Sequence, residues 1–469
     1  MGLTAEVAEF IVDVDRTAVP EEVMRLAKRS ILDGLGLAVA GSCSAPARLA
    51  QQEIQSYGRL VAEASVLGTE VRLPTRFAAF LNALAIHADD YDDTQLAIAA
   101  DRVYGLLTHP TAPVLPVSIA LGERDGKSGI DILMSYLVGV EVETKVGEAI
   151  APRHYDDGFH STATIGAIGA GAAAARATGL DAARTAVALA ISASQAAGLR
   201  EQFGTMTKPF HAGRAAESGV LAASLAAVGF TAAPDILEAR RGFFQAAGGG
   251  YDESMIAHKL GTPWTFESPG ISIKPHPSGS LTHPAMGAFI DLIHEYDLTP
   301  DNVRHVRVGT NRHMPNALIH HRPADGLAAK FSMEFCMAIL LLDGHANLRE
   351  FTDASVNRAD VRALIERITF EVDPVADSDG YQAMTSIIDV DLVDGRQLHT
   401  VARFGKGSPA RPMTDDELVD KFLGCLDWAG VSESVGRSVA ERVLSLEDEP
   451  SFAPVVEPLR VAANTAANA

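Results

Sequence analysis

Ala85-Ile86-His87-Ala88-Asp89-Asp90-Tyr91-Asp92-Asp93-Thr94 closes an apolar helical run that begins at Phe77. Its last eight positions hold four aspartates, a histidine and a threonine. If the helix continues through them, His87, Asp90 and Thr94 fall at i, i+3 and i+7 on one face, with Asp89 and Asp93 on another. Charged groups beside apolar segments are costly unless they have a partner or a use. The stretch therefore reads as one wall of a polar site at the end of a core helix.

Outward from it, residues 1 to about 265 read as helix after helix. Pro20 with Glu21 and Glu22 opens one, and Val23, Leu26, Ala27, Ser30, Ile31 and Leu35 give it an apolar face. Further helices are expected over 76–88, 114–122, 130–150, 161–177 (stopped by Gly179), 182–197 (capped by Asp181) and 211–228 (stopped by Gly229). Gly, Ala and Ser on most of their faces imply closely approaching backbones and a compact bundle with a buried subunit contact.

The pattern changes after about 265. Strands are expected at 303–309, 368–372 and 388–392, and Asp394-Gly395 ahead of Arg396 to Phe404 signals a hairpin. Helices intervene at 283–295, 328–342 and 357–368. The fold class is thus mainly α, with an α+β second domain at 266–407. Thr414-Asp415-Asp416-Glu417 forms a capping box for a last helical segment, 408–469, which rejoins or continues the helical part. The end from Val461 is expected to fray.

The 469 residues suffice for two domains, and 47% hydrophobic with 21% charged residues is ordinary globular composition. A net charge of −21 argues against broad contact with nucleic acid or anionic membrane, so an anionic substrate needs a local basic pocket. Cys43, Cys336 and Cys425 are far apart and read as reduced thiols of a cytoplasmic protein, with no zinc motif. No signal peptide, myristoylation signal or membrane-length apolar run is expected.

Four more stretches carry chemistry. Gly105-Leu106-Leu107-Thr108-His109-Pro110 places His109 in a loop before a helix. Gly158-Phe159-His160-Ser161-Thr162 places His160 just ahead of an N-cap. In Thr207-Lys208-Pro209-Phe210-His211-Ala212-Gly213-Arg214, Pro209 biases Lys208 towards an extended conformation and opens the next helix. Lys208 then joins free N–H groups, a carboxylate cradle. Lys274-Pro275-His276-Pro277-Ser278-Gly279-Ser280-Leu281-Thr282-His283-Pro284 repeats the Lys-Pro device where the two regions meet, a common place for a substrate pocket. Singly, each has a plainer explanation: a turn histidine, a solvated lysine, a solvated helix end or, for the aspartates, a metal site. Together they supply an acid, several histidines and two lysines at element boundaries.

These stretches, with Ala329-Lys330-Phe331-Ser332-Met333 leading to Leu342-Asp343-Gly344, resemble the MmgE/PrpD family over nearly the whole length. That family includes 2-methylcitrate dehydratases, cis-aconitate decarboxylases and an iminodisuccinate epimerase. The resemblance implies a large helical domain (1–265, with 408–469 folded back onto it) and a smaller α+β lid. It also implies a cofactor-free, metal-free site between them and a homodimer. Asp90, Thr94, His109, His160, Lys208 and Lys274 match positions that line the family's pocket. Two departures from the decarboxylase pattern stand out: Gly279 replaces a histidine, and Ile319 with His320 and His321 stands near an expected tyrosine.

The expected function is proton transfer at a carbon α to a carboxylate of a small di- or tricarboxylate, with dehydration of a 2-methylcitrate-like hydroxy acid as the leading form. Lys208 and Lys274, helped by Arg214, hold carboxylates and stabilise enediolate-like charge. Asp90 and His109 are the acid–base pair. His160 completes the catalytic set and, with Thr94, orients substrate oxygens; His211 and His276 add contacts. The alternatives are a decarboxylase or epimerase, a Mg²⁺-dependent isoprenoid synthase using Asp89-Asp90-x-x-Asp93, or a non-catalytic carboxylate-binding relative.

Overall fold

The computed structural model describes residues 2–95, 108–380 and 383–461. The chain forms two compact units: 1–88 with 107–271 and 414–469, and 89–106 with 272–413. Gly105 to Leu107 of the His109 loop, and the terminus beyond Val461, lie outside the described residues.

The first unit is helical. At its centre is the Ser161–Thr178 helix, buried at every position from Ser161 to Ala175. It packs against the Gly129–Ala149 and Thr207–Ala227 helices. The sequence permits this because the contact residues lack side-chain bulk. A Cβ on Gly219 would stand 2.5 Å from the Ala170 carbonyl carbon, and one on Gly139 2.6 Å from Val114 and 2.8 Å from Ala173. Gly179 ends the central helix at φ +66°, the left-handed stop its position predicts.

The Glu21–Ser42 helix packs on Thr75–His87 and on the late helices Asp415–Trp428 and Glu433–Leu444. Lys421 and Asp33 form a buried ion pair at 2.6 Å there. Lys28 binds both Glu447 and the Leu444 carbonyl. The capping box at Thr414 and Glu417 is present. Buried Glu141 accepts N–H bonds from Gly261 and Thr265, at 2.9 and 2.8 Å, and burial raises its pKa.

The second unit is α+β. Its sheet has the strand order Ile368–Val372, Val303–Thr310, Ser386–Leu392, Gln397–Ala402. The first pair is parallel and the others antiparallel. Gly395 turns the hairpin at φ +91°. Val306, Val308, Ile388 and Val390 join a core with Met286, Phe289, Phe335 and Met337 from the His283–Tyr296 and Met333–Asp343 helices. Arg307 reaches three carboxylates, Glu371 and Asp389 on the two neighbouring strands and Asp373 just past the first of them.

Three local expectations change. The helix expected over 328–342 splits into Gly326–Ala329 and Met333–Asp343, because the Ser332 hydroxyl caps a fresh start by accepting from the Phe335 N–H. The helix expected over 357–368 shortens to Ala359–Ile365, since Ile368 enters the sheet. The aspartate run is not helical: the Thr75–His87 helix ends before it and Asp90 adopts φ +51°. Like carboxylates three or four apart repel, and a helix C-terminus disfavours anions.

Candidate active site

Within the first unit, four helices bring four histidines and a lysine together. His87 is the last residue of Thr75–His87. His109 precedes the Thr111–Asp125 helix, its N–H bound to the Thr162 hydroxyl at 3.1 Å. His160 occupies the N-cap position of Ser161–Thr178, one residue earlier than expected for the cap. Lys208 and His211 are three apart on Thr207–Ala227 and so share a face.

The imidazoles form a contiguous group. His87 lies 4.8 Å from His109 and 5.6 Å from His160, centroid to centroid. His160 and His211 join through their Nδ1 atoms at 3.0 Å. Phe203 sits edge-on to His160 at 5.0 Å, and the Lys208 ammonium lies 5.6 Å from the Phe203 centroid. Lys208, His87, His160 and His211 are all buried. Burial first, then the fields of His87 and Lys208, push the His211 pKa down to about 4. Burial, followed by His87, Lys208, His211 and His109, holds His160 well below its usual value. Neutral imidazoles beside a buried lysine can bind an anion, donate through one ring nitrogen while accepting through the other, and stabilise charge on a substrate oxygen.

The expected cradle differs in detail. Lys208 is not extended, because the helix starts at Thr207 and Pro209 falls within its first turn, where a missing N–H costs nothing. The Lys208 N–H is already bound to the Thr205 carbonyl. Arg214 does not join the group. Six positions after Lys208, it is turned about 120° round the helix, is half exposed and pairs with Glu217.

Within the second unit, Asp90, Thr94, Lys274 and His276 have their own settings. The Lys274 ammonium donates to the Asp90 carbonyl at 2.8 Å and lies 3.1 Å from its carboxylate, both side chains buried. Lys330 pairs with Asp89 at 2.7 Å. The Thr94 hydroxyl lies 3.1 Å from that of Ser280, and His276 donates from Nδ1 to the Ala346 carbonyl. These bonds hold the aspartates as a folded loop. The helical aspartate face that a diphosphate–Mg²⁺ site needs is therefore absent.

Three further residues stand in these settings without a role expected from the sequence. His87 was visible only as the start of the aspartate run, and Lys330 only within a longer motif. Phe203 carries no local signal.

The N-terminal domain of MmgE/PrpD proteins matches residues 5–255, and their C-terminal domain matches residues 276–446. The chain belongs to the MmgE/PrpD family. This family member is 28% identical to cis-aconitate decarboxylase of Homo sapiens over 444 residues, 91% of this chain and 89% of that protein. It is 27% identical to the Aspergillus terreus cis-aconitate decarboxylase over 484 residues, 97% of this chain and 95% of that protein. It is 26% identical to the cis-aconitate decarboxylase-like protein oryM of Aspergillus oryzae over 470 residues, 95% of each. Among the described residues, no helix of this MmgE/PrpD chain is long and apolar enough to cross a membrane.

Proposed function

We propose that this MmgE/PrpD chain is a lyase for a small di- or tricarboxylate, working by proton transfer at a carbon α to a carboxylate. The observation that carries the reading is the buried Lys208 beside His160 and His211, with His87 and His109 in the same group of imidazoles. An ammonium in that setting attracts a substrate carboxylate strongly, since little water screens it. Each neutral histidine can donate through one ring nitrogen and accept through the other.

The relatives' names favour decarboxylation over dehydration as the leading form. Loss of CO₂ from an unsaturated tricarboxylate leaves its bonding electrons on the carbon frame, and a histidine N–H delivers the proton that quenches them. Dehydration of a 2-methylcitrate-like hydroxy acid is the second reading, supported by Gly279 and Ile319. There a base removes the α proton and an acid protonates the departing hydroxyl. Lys208 holds the carboxylate in either case. Within the first unit, His109 and His160 exchange protons with the substrate. A homodimer in the cytoplasm, with no resident metal or cofactor, completes the proposal.

The test is proton NMR in D₂O with EDTA, offering cis-aconitate, 2-methylcitrate, citrate and iminodisuccinate. Loss of CO₂ with deuterium at carbon, or loss of water with a new vinylic signal, is expected. Lys208→Ala should lower turnover by about 10²–10³-fold, as for other lost oxyanion donors, with an unchanged circular dichroism spectrum. A folded, fully active Lys208→Ala protein refutes the assignment of Lys208. Four unchanged substrates with folded wild type refute the lyase reading for this substrate set.

A further inference from the structure

His160 and His211 meet through like atoms. Their Nδ1 nitrogens are 3.0 Å apart, with ring planes at 53°. Two neutral imidazoles make that contact only if one Nδ1 bears the proton and the other a lone pair. Two lone pairs would repel, and two N–H groups would clash. The rings are therefore complementary: if one carries its proton on Nδ1, the other carries it on Nε2.

The backbone holds both rings in place. The His160 N–H donates to the Gly198 carbonyl at 3.0 Å. The Cα of Gly198 faces His211 so closely that a Cβ there would stand 3.2 Å from the His211 Cγ. His87 stacks on His160 at 22°, and Phe203 meets it edge-on. The charged and titratable groups around the pair come from three elements: His87 at the end of Thr75–His87, His109 ahead of Thr111–Asp125, and Lys208 on Thr207–Ala227. Burial among them keeps both imidazoles neutral around pH 7. Protonation of the accepting Nδ1, which would break the pairing, is disfavoured.

We propose that His211 is a positioning residue rather than a substrate contact: through the Nδ1···Nδ1 hydrogen bond it couples the His160 tautomer to its own, so that the His160 Nε2 meets substrate as a donor when the His211 Nδ1 carries the shared proton and as a lone pair when it does not. Its catalytic meaning rests on the lyase reading above, but the tautomer itself can be observed without substrate. A histidine presenting the wrong nitrogen is correctly placed and chemically inert, which is why tautomer control matters to acid–base catalysis.

The test uses the full-length protein with ¹⁵N-labelled histidine rings, and long-range ¹H–¹⁵N spectra at pH 7. His160 is assigned by loss of its signals in His160→Gln. In wild type, its two ring nitrogens should differ as a single neutral tautomer requires. In His211→Phe they should move together as the tautomers mix; His211→Ala serves if the phenyl ring prevents folding. Turnover in the variant should fall by about 100-fold, within the range a positioned acid or base contributes, mainly in kcat. His211→Asn, which keeps a polar atom near the Nδ1 position, should recover part of that loss. A His160 ring spectrum identical with and without the His211 imidazole overturns the proposal. If wild type turns over no carboxylate, the lyase reading falls, and the ring spectra still decide the pairing.

Discussion

At Gly198 the backbone has φ +149°, a conformation side chains resist, and a Cβ would stand 2.5 Å from that of Ala163. Gly198→Ala is therefore expected to cost about 1–3 kcal/mol of backbone strain and to displace the His160–His211 pair. Thermal melting reads the first effect and the histidine ring spectrum the second. Gly279 is the opposite case. Its φ is −55°, and a Cβ would meet Leu318, Phe331 and the Lys330 carbonyl at ordinary contact distances of 3.4–3.7 Å. Gly279→Ala should leave the melting temperature nearly unchanged. Gly279→His should raise kcat/KM for cis-aconitate relative to 2-methylcitrate, measured in parallel assays; an unaltered ratio removes Gly279 from any account of specificity. The buried histidines also set an acid response. The His211 pKa lies below its unfolded value of 6.5, at about 4. Its contribution to stability is thus complete above pH 6.5 and is lost as pH falls from there towards 4. Urea midpoints across that window should fall with pH in wild type and fall less in His211→Phe. At this scale, the candidate residues stand out in the sequence because Lys-Pro, His-Pro and the aspartate run are unusual local strings. Arg214 was misjudged because composition says nothing of which side of a helix a cation occupies.

Helix packing explains why this family member uses so many small residues. Gly219 lets the Thr207–Ala227 helix touch the Ala170 backbone, and that helix carries Lys208 and His211. Gly219→Val should cost at least about 1–3 kcal/mol through overpacking, since the obstructing atom is backbone and cannot rotate away. A lowered urea midpoint would show it, and turnover should fall with the displaced helix. Periodicity and caps made most helices legible within a few residues: Asp181 caps and Gly179 stops where expected. The helix end at His87 was harder to read. The apolar run continues through Ile86, and only the repulsion among Asp89, Asp90, Asp92 and Asp93, answered by Lys274 and Lys330, turns the chain. Those lysines are remote in sequence, so no local pattern announces them.

Across the whole molecule, the first unit is closed by residues from its far end. Asp415–Trp428 and Glu433–Leu444 cover the Glu21–Ser42 helix, where Ile31, Leu32 and Leu35 are buried. A chain ending at residue 413 would expose those side chains and leave Asp33 without Lys421. It should lack a cooperative thermal transition, which calorimetry can check. Lys421→Ala alone should cost about 1–3 kcal/mol, the penalty for a lost partner of a buried polar group, with Arg29 still acting on Asp33. The sequence alone determined what depends on near neighbours. Hydrophobic period, capping residues and the Asp394-Gly395 turn set a helical region followed by an α+β one, and a basic, histidine-rich inventory pointed to carboxylate chemistry. The tertiary structure decided what depends on distant neighbours: that His160 meets His211 across 51 positions, and that Asp90 is held by Lys274 across 184. A helix is stabilised by bonds four residues apart, so its signal is local. A buried imidazole pair or ion pair forms only when folding expels water from both partners, and neither partner's neighbours in sequence record the other.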